Sequence, residues 1–212
     1  MGGGVSAGML RKWISANRDA LWALYIPAYL ALFSAAEHAV SGSYFVSYLP
    51  LDDKIPFLPF FVLPYVLWYP LLLGTGLYLQ RNDKTAFRRY MHFIGVTFTA
   101  ATLFCFLVPN GQNLRPETVG NGTLCGIIRL LYRIDTNTNV FPSVHVLGCL
   151  AVLFALHDAA KLKMLRLPLS LLSASAALAT VFIKQHSALD LISALAFGAF
   201  VRLLQCRRQR IS

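Results

Sequence analysis

Two short segments carry residues able to do nucleophilic and acid–base chemistry. They are Phe141-Pro142-Ser143-Val144-His145 and Lys184-Gln185-His186-Ser187-Ala188-Leu189-Asp190. On a helix, His186 and Asp190 fall one turn apart on one face. A carboxylate at that spacing accepts a hydrogen bond from one imidazole nitrogen, which fixes the tautomer and leaves the other nitrogen basic. An imidazole oriented in this way is a nucleophile or a base; taken alone, the pair could equally just satisfy itself. Pro142 suits the first turn of a helix, and the free N–H groups of a helix start favour an anion. Ser143 adds a hydroxyl donor, and His145 sits just inside, able to give up a proton. Capping explains the Pro-Ser start but not His145. Arg115, Arg129, Arg133 and Lys184 flank the two segments in sequence, and arginine forks suit phosphate oxygens. The set predicts phosphoryl transfer through a phosphohistidine. No HExxH motif or carboxylate cluster accompanies the histidines, so neither a metal nor an organic cofactor is expected.

These residues must be positioned by membrane helices. Of the 212 residues, 57% are hydrophobic and only 13% charged, against about 45–50% and about 25% in a soluble domain. A soluble globule and a disordered chain are both excluded. Six apolar runs approach the length needed to cross a bilayer: 20–40, 56–79, 90–108, 141–157, 165–183 and 186–203. The expected fold is all-α and polytopic. A cytoplasmic segment covers 1–19, a single six-helix membrane domain covers 20–204, and a basic cytoplasmic tail covers 205–212. The Pro-rich stretch from Ile55 to Pro70 is read as structural, kinking its span.

The charges fix an orientation. Arg11, Lys12 and Arg18; Arg81, Lys84, Arg88 and Arg89; Lys161, Lys163 and Arg166; and Arg202, Arg207, Arg208 and Arg210 all fall on one side. The other side holds only Lys54, Arg115, Arg129, Arg133 and Lys184. By the positive-inside rule both termini are cytoplasmic, and both histidine segments face the outside. The net charge of +10 is thereby a membrane signature and not a nucleic-acid one. In the long outer loop, 109–140, Thr123–Ile134 reads as a short interfacial helix. Leu124, Ile127, Ile128, Leu131 and Ile134 form its apolar face, with Arg129 and Arg133 together on one side. Asn121-Gly122-Thr123 is a glycosylation sequon. The four cysteines show no metal spacing, and three of them, in or beside apolar runs, read as small hydrophobes. Gly2 and Ser6 fit a loose myristoylation pattern but read as a Gly-rich tail, and no signal peptide is expected. Glu37 and His38 end the first span on the outer side, where they could line the site but are read first as interface anchors, as are Trp13, Trp22 and Trp68.

The order Arg115-Pro116, Pro142-Ser143-Val144-His145 and His186-x3-Asp190 resembles the phosphatidic acid phosphatase type 2 superfamily. Its signature is K-x6-RP, PSGH and SR-x5-H-x3-D. The resemblance covers about 109–204. Tyr132-Arg133-Ile134-Asp135, with Asn139 and Phe141-Pro142-Ser143, is also similar to the inositol phosphorylceramide and sphingomyelin synthase branch. The resemblance implies a haloperoxidase-like helical core. It implies a lipid phosphatase of the plasma membrane, acting at the extracytoplasmic side on a lipid phosphomonoester or pyrophosphate, or a headgroup phosphotransferase on the same scaffold. His186 would be the nucleophile held by Asp190, and His145 the proton donor and acceptor. Ser143 and the cations would hold the phosphate. The chain departs from the signature at Val108, where the first Lys would stand, and at Ala179-Thr180, where Ser-Arg would stand. Lys184 is expected to replace that Arg, and Arg129 or Arg133 that Lys. A non-enzymatic channel, transporter or scaffold is the third reading.

Overall fold

The computed structural model describes residue 8 and residues 19–40 and 43–211. The Gly2–Ser6 pattern, Arg11, Lys12, Trp13 and Arg18 lie outside the described residues. A 3-10 turn, Ala20–Leu24, leads into α1, Tyr25–Ala39. Then come α2 (Val62–Asn82), α3 (Lys84–Leu107), α4 (Thr123–Ile134), α5 (Val144–Asp158), α6 (Arg166–Phe182) and α7 (Ala188–Ile211). The strands are β1, Phe45–Val46, and β2, Asn110–Gly111, paired in parallel.

Among the described residues, four helical stretches are long and apolar enough to cross a membrane: Pro59–Asn82, Lys84–Leu107, Ala160–Phe182 and Ala188–Arg208. The expected third span begins six residues earlier than the hydropathy suggests. Asp83 caps α3 by accepting a hydrogen bond from the Ala86 N–H at 2.9 Å, which pulls the charged turn Lys84–Arg89 into the helix. The basic tail is likewise helical to Ile211, because nothing in Arg202–Ile211 breaks a helix.

α5 is 15 residues long, about 22 Å at the helical rise. It is apolar all round, as a helix enclosed by others must be. Val146, Leu147, Cys149, Val152, Ala155 and Leu156 are all buried in the main core with residues of α2, α3, α6 and α7. α4 packs Cys125, Ile128 and Leu131 inward, while Ile134 of its expected apolar face is exposed.

Charged groups close one end of the bundle. Arg88 donates to Asp19 at 2.8 Å, and Arg202 to Asp158 at 2.9 Å. The opposite end is a cap of three knitted loops. Asn110 donates its amide to the Val108 carbonyl at 2.8 Å, accepts the Phe141 N–H at 2.9 Å, and takes the Asn139 N–H on its backbone carbonyl at 2.8 Å. Gln112 donates to the Lys184 carbonyl at 2.9 Å. Both side chains are fully buried, so their amides satisfy backbone groups that water cannot reach.

Candidate active site

The cap brings His145, His186, Asp190 and Ser143 together. His186 does not stand on a helix. α7 starts at Ala188, and Ser187 and Asp190 close a reciprocal capping box. The Ser187 N–H donates to Asp190 Oδ2 at 2.8 Å, and the Asp190 N–H donates to Ser187 Oγ at 3.2 Å. Asp190 is fully buried, and its other oxygen accepts the Ser47 hydroxyl.

His186 Nδ1 lies 3.0 Å from the Val140 carbonyl and 3.4 Å from Asp190 Oδ2. Both are acceptors, so Nδ1 carries the proton and Nε2 presents its lone pair. The expected carboxylate is present, but the nearer partner is a backbone oxygen. Asn139 delivers that oxygen from a left-handed backbone (φ +56°), a conformation asparagine tolerates.

His145 sits in an aromatic enclosure. Its ring lies 4.6 Å from that of Tyr65, 4.5 Å from Trp68 and 5.8 Å from His186, centroid to centroid. Trp68 is thus part of the site and not an interfacial anchor. Gly148, one turn on from His145, permits this: a Cβ there would come within 2.5 Å of the indole. The Tyr65 hydroxyl donates to Asp135 at 2.7 Å and stands 3.4 Å from His145 Nδ1. With its own proton given to the carboxylate, the Tyr65 oxygen can only accept from Nδ1–H. That leaves His145 Nε2 as the working nitrogen, and it is buried without a partner among the described residues. Ser143 is buried and caps α5, accepting the Val146 N–H at 3.3 Å.

The expected phosphate-binding cations are elsewhere. Lys184 closes the C-terminus of α6 in a Schellman arrangement. The Gln185 N–H reaches the Thr180 carbonyl at 2.9 Å, and the Lys184 N–H the Val181 carbonyl at 3.2 Å. Lys184 holds the left-handed position (φ +55°) where glycine is usual. Its ammonium donates to the carbonyls of Asp52 and Ile55 at 2.8 and 2.7 Å, and burial lowers its pKa. Arg115 donates to the carbonyls of Tyr132 and Asp135 at 3.0 and 2.6 Å, and to Gln185 Oε1 at 2.6 Å. Burial lowers its pKa too, yet a guanidinium keeps its charge. It stands one residue behind the site, separated from it by Gln185. Arg129 and Arg133 are on the exposed side of α4, where Arg129 donates to the Gly120 carbonyl at 2.5 Å.

Both histidines open onto a cavity of about 640 Å³. It runs between α1, α2 and α3, past Tyr29, Leu72 and Ile94, as far as Trp22 and Phe87 near the opposite end of the bundle. Its walls are largely apolar between two polar ends: Asp19 and Gln80 at the far end, and at the histidine end Asp135, Thr138, Asn139 and Gln185, with Glu37 accepting the Thr136 hydroxyl at 2.8 Å. Among the described residues no cluster of three or more His, Cys, Asp or Glu could hold a metal ion. No family model, curated protein or solved structure matches the chain.

Sequence reasoning missed Tyr65, Ser47 and the Val140 carbonyl. Ser47 meets Asp190 across more than 140 positions and carries no local signal. Asp135 was visible only as part of a family-like string.

Proposed function

We propose that this chain is an integral-membrane lipid phosphatase that transfers a phosphoryl group to His186 and then to water. The observation that carries the reading is His186 itself. Its Nδ1 proton is fixed by Val140 and Asp190, and it shares with His145 one polar end of a long, largely apolar cavity. A lipid fits that division of surface, with its tail against the helices and its phosphate between the rings.

In the first step the His186 Nε2 lone pair bonds to phosphorus, and the bond from phosphorus to the leaving oxygen breaks. The proton on His145 Nε2 passes to that oxygen. In the second step His145 Nε2 takes a proton from water, the water oxygen bonds to phosphorus, and the P–N bond breaks to release phosphate. His145 is therefore a cation before the first step and after the second and neutral between them, and Asp135, through Tyr65, steadies the cation. The N–H groups of the first turn of α5 supply fixed dipoles for the charge on the transferring oxygens.

A second reading, headgroup transfer from a phosphodiester lipid to an alcohol, is favoured by one observation. None of Arg115, Arg129, Arg133 and Lys184 lines the cavity. A phosphodiester brings one negative charge where a phosphomonoester brings up to two, and a weakly cationic site suits the smaller charge.

In membrane terms, we read α1 with its 3-10 lead, α2, α3, α5, α6 and α7 as six spans. The arginine-rich end is then cytoplasmic, and the histidine end is extracytoplasmic at the plasma membrane. The test is phosphate release from a panel of lipid phosphates by purified protein in EDTA, beside His186→Ala. Release by the wild type alone supports the phosphatase. Headgroup transfer to an added alcohol without phosphate release supports the second reading. Neither activity sinks both.

A further inference from the structure

Asn139 has a feature that its backbone does not require. The left-handed turn that aims the Val140 carbonyl at His186 is open to glycine as well as asparagine. Asparagine nevertheless stands there, 94% buried, on the cavity wall beside His145 and His186. Neither its Oδ1 nor its Nδ2 has a partner among the described residues. A buried amide with both ends unmatched is costly, and the nearby His145 Nε2 is unmatched as well.

With Trp68 Nε1, unmatched beside His145, four such atoms line one end of one cavity, and they describe a ligand. Nδ2 and a protonated His145 Nε2 are donors and suit phosphate or ester oxygens. Oδ1 is an acceptor, and a fully ionised phosphate offers it only repulsion. The complement of a whole amide is a hydroxyl donor set beside an acceptor oxygen.

Resting on the phosphoryl-transfer reading, we propose that Asn139 recognises an alcohol hydroxyl held next to the reacting phosphate. Its Oδ1 accepts from that hydroxyl, and its Nδ2 donates to an adjacent oxygen. The hydroxyl belongs to the lipid itself, as in a lysolipid phosphate, or to an alcohol acceptor. Asn139 is thereby a specificity-determining residue.

The experiment compares a lysophosphatidic acid with its analogue lacking the glycerol hydroxyl. Binding to the full chain is followed by the fluorescence of Trp68 in a variant whose other two tryptophans are phenylalanine, and phosphate release is followed in parallel. Asn139→Gly keeps the turn and removes the amide, and Asn139→Asp keeps the shape and removes the donor. We expect the hydroxyl-bearing lipid to bind about tenfold tighter, as one hydrogen bond at a buried site can deliver. That ratio should fall to about one in Asn139→Gly. If the hydroxyl comes from a separate alcohol, glycerol instead accelerates turnover of the deoxy lipid in the wild type and not in Asn139→Gly. An equal response to both lipids without a glycerol effect, or a preference surviving in Asn139→Gly, overturns the assignment. Hydroxyl-dependent binding without phosphate release or transfer overturns the catalytic reading and leaves Asn139 as the reader. Release without hydroxyl preference does the reverse.

Discussion

Asp190 and Tyr65 support the two histidines in different ways, and substitutions should separate them. Asp190 closes the capping box of α7, takes the Ser47 hydroxyl and faces His186. Asp190→Ala strands these buried donors, and each costs about 1–3 kcal/mol when left unmatched. We expect a lower unfolding midpoint in detergent together with loss of turnover. Tyr65 stacks on His145 and passes it the influence of Asp135. Tyr65→Phe keeps the stacking and deletes the relay. General acid–base catalysis is worth about 10²–10⁴-fold, and losing the support of the acid should take about tenfold from kcat with little change in KM. An unchanged kcat would remove Tyr65 and Asp135 from the mechanism.

The turn between α6 and α7 is built to hold its shape, and Lys184 is part of the building. Its ammonium ties the turn to the Asp52 and Ile55 carbonyls. Lys184→Gly accepts the left-handed backbone but loses that tie. We expect a stability loss of about 1–2 kcal/mol for the missing charge-assisted bonds, with KM for a lipid phosphate within about twofold of wild type. A tenfold rise in KM at unchanged stability would return Lys184 to the phosphate. The pH dependence carries a definite sign. Burial holds the Lys184 pKa below its ordinary value, so the unfolded chain binds that proton more tightly than the folded one. Wild-type stability relative to Lys184→Gly therefore rises as pH climbs from the lowered pKa to the ordinary value of about 10.4. Chemical denaturation across that range checks it.

The arrangement of the bundle separates two kinds of surface. Ion pairs such as Arg88–Asp19 and Arg202–Asp158 close one end, and the histidines sit under loops at the other. If the histidine end is extracytoplasmic, the exposed Asn121-Gly122-Thr123 sequon on the outer loop is open to glycosylation. Expression in a eukaryotic secretory membrane should add one glycan that Asn121→Gln removes. An unmodified chain, beside a control sequon engineered into the 159–164 connection that is modified, would reverse the orientation.

Much of this was legible in the chain. The long apolar helices follow from runs too hydrophobic to face water, and the Thr123–Ile134 helix follows from its periodicity. The nearness of His186 to Asp190 follows from a spacing of four, although His186 precedes the helix and the capping box joins Asp190 to Ser187. The roles of the cations were not legible. A Lys or Arg near a histidine in sequence has the same charge whether it meets substrate or backbone carbonyls. Arg115 and Lys184 turn to carbonyls because the buried loop ends around them present oxygens that nothing else satisfies. Nor could spacing find Ser47, Tyr65 or Trp68, which reach the site from other segments of the chain. Local spacing fixes which groups share a turn, while packing of distant loops fixes which of their atoms remain unmatched and free to act. Among the described residues those atoms include His145 Nε2, Trp68 Nε1 and the Asn139 amide, which share one cavity wall.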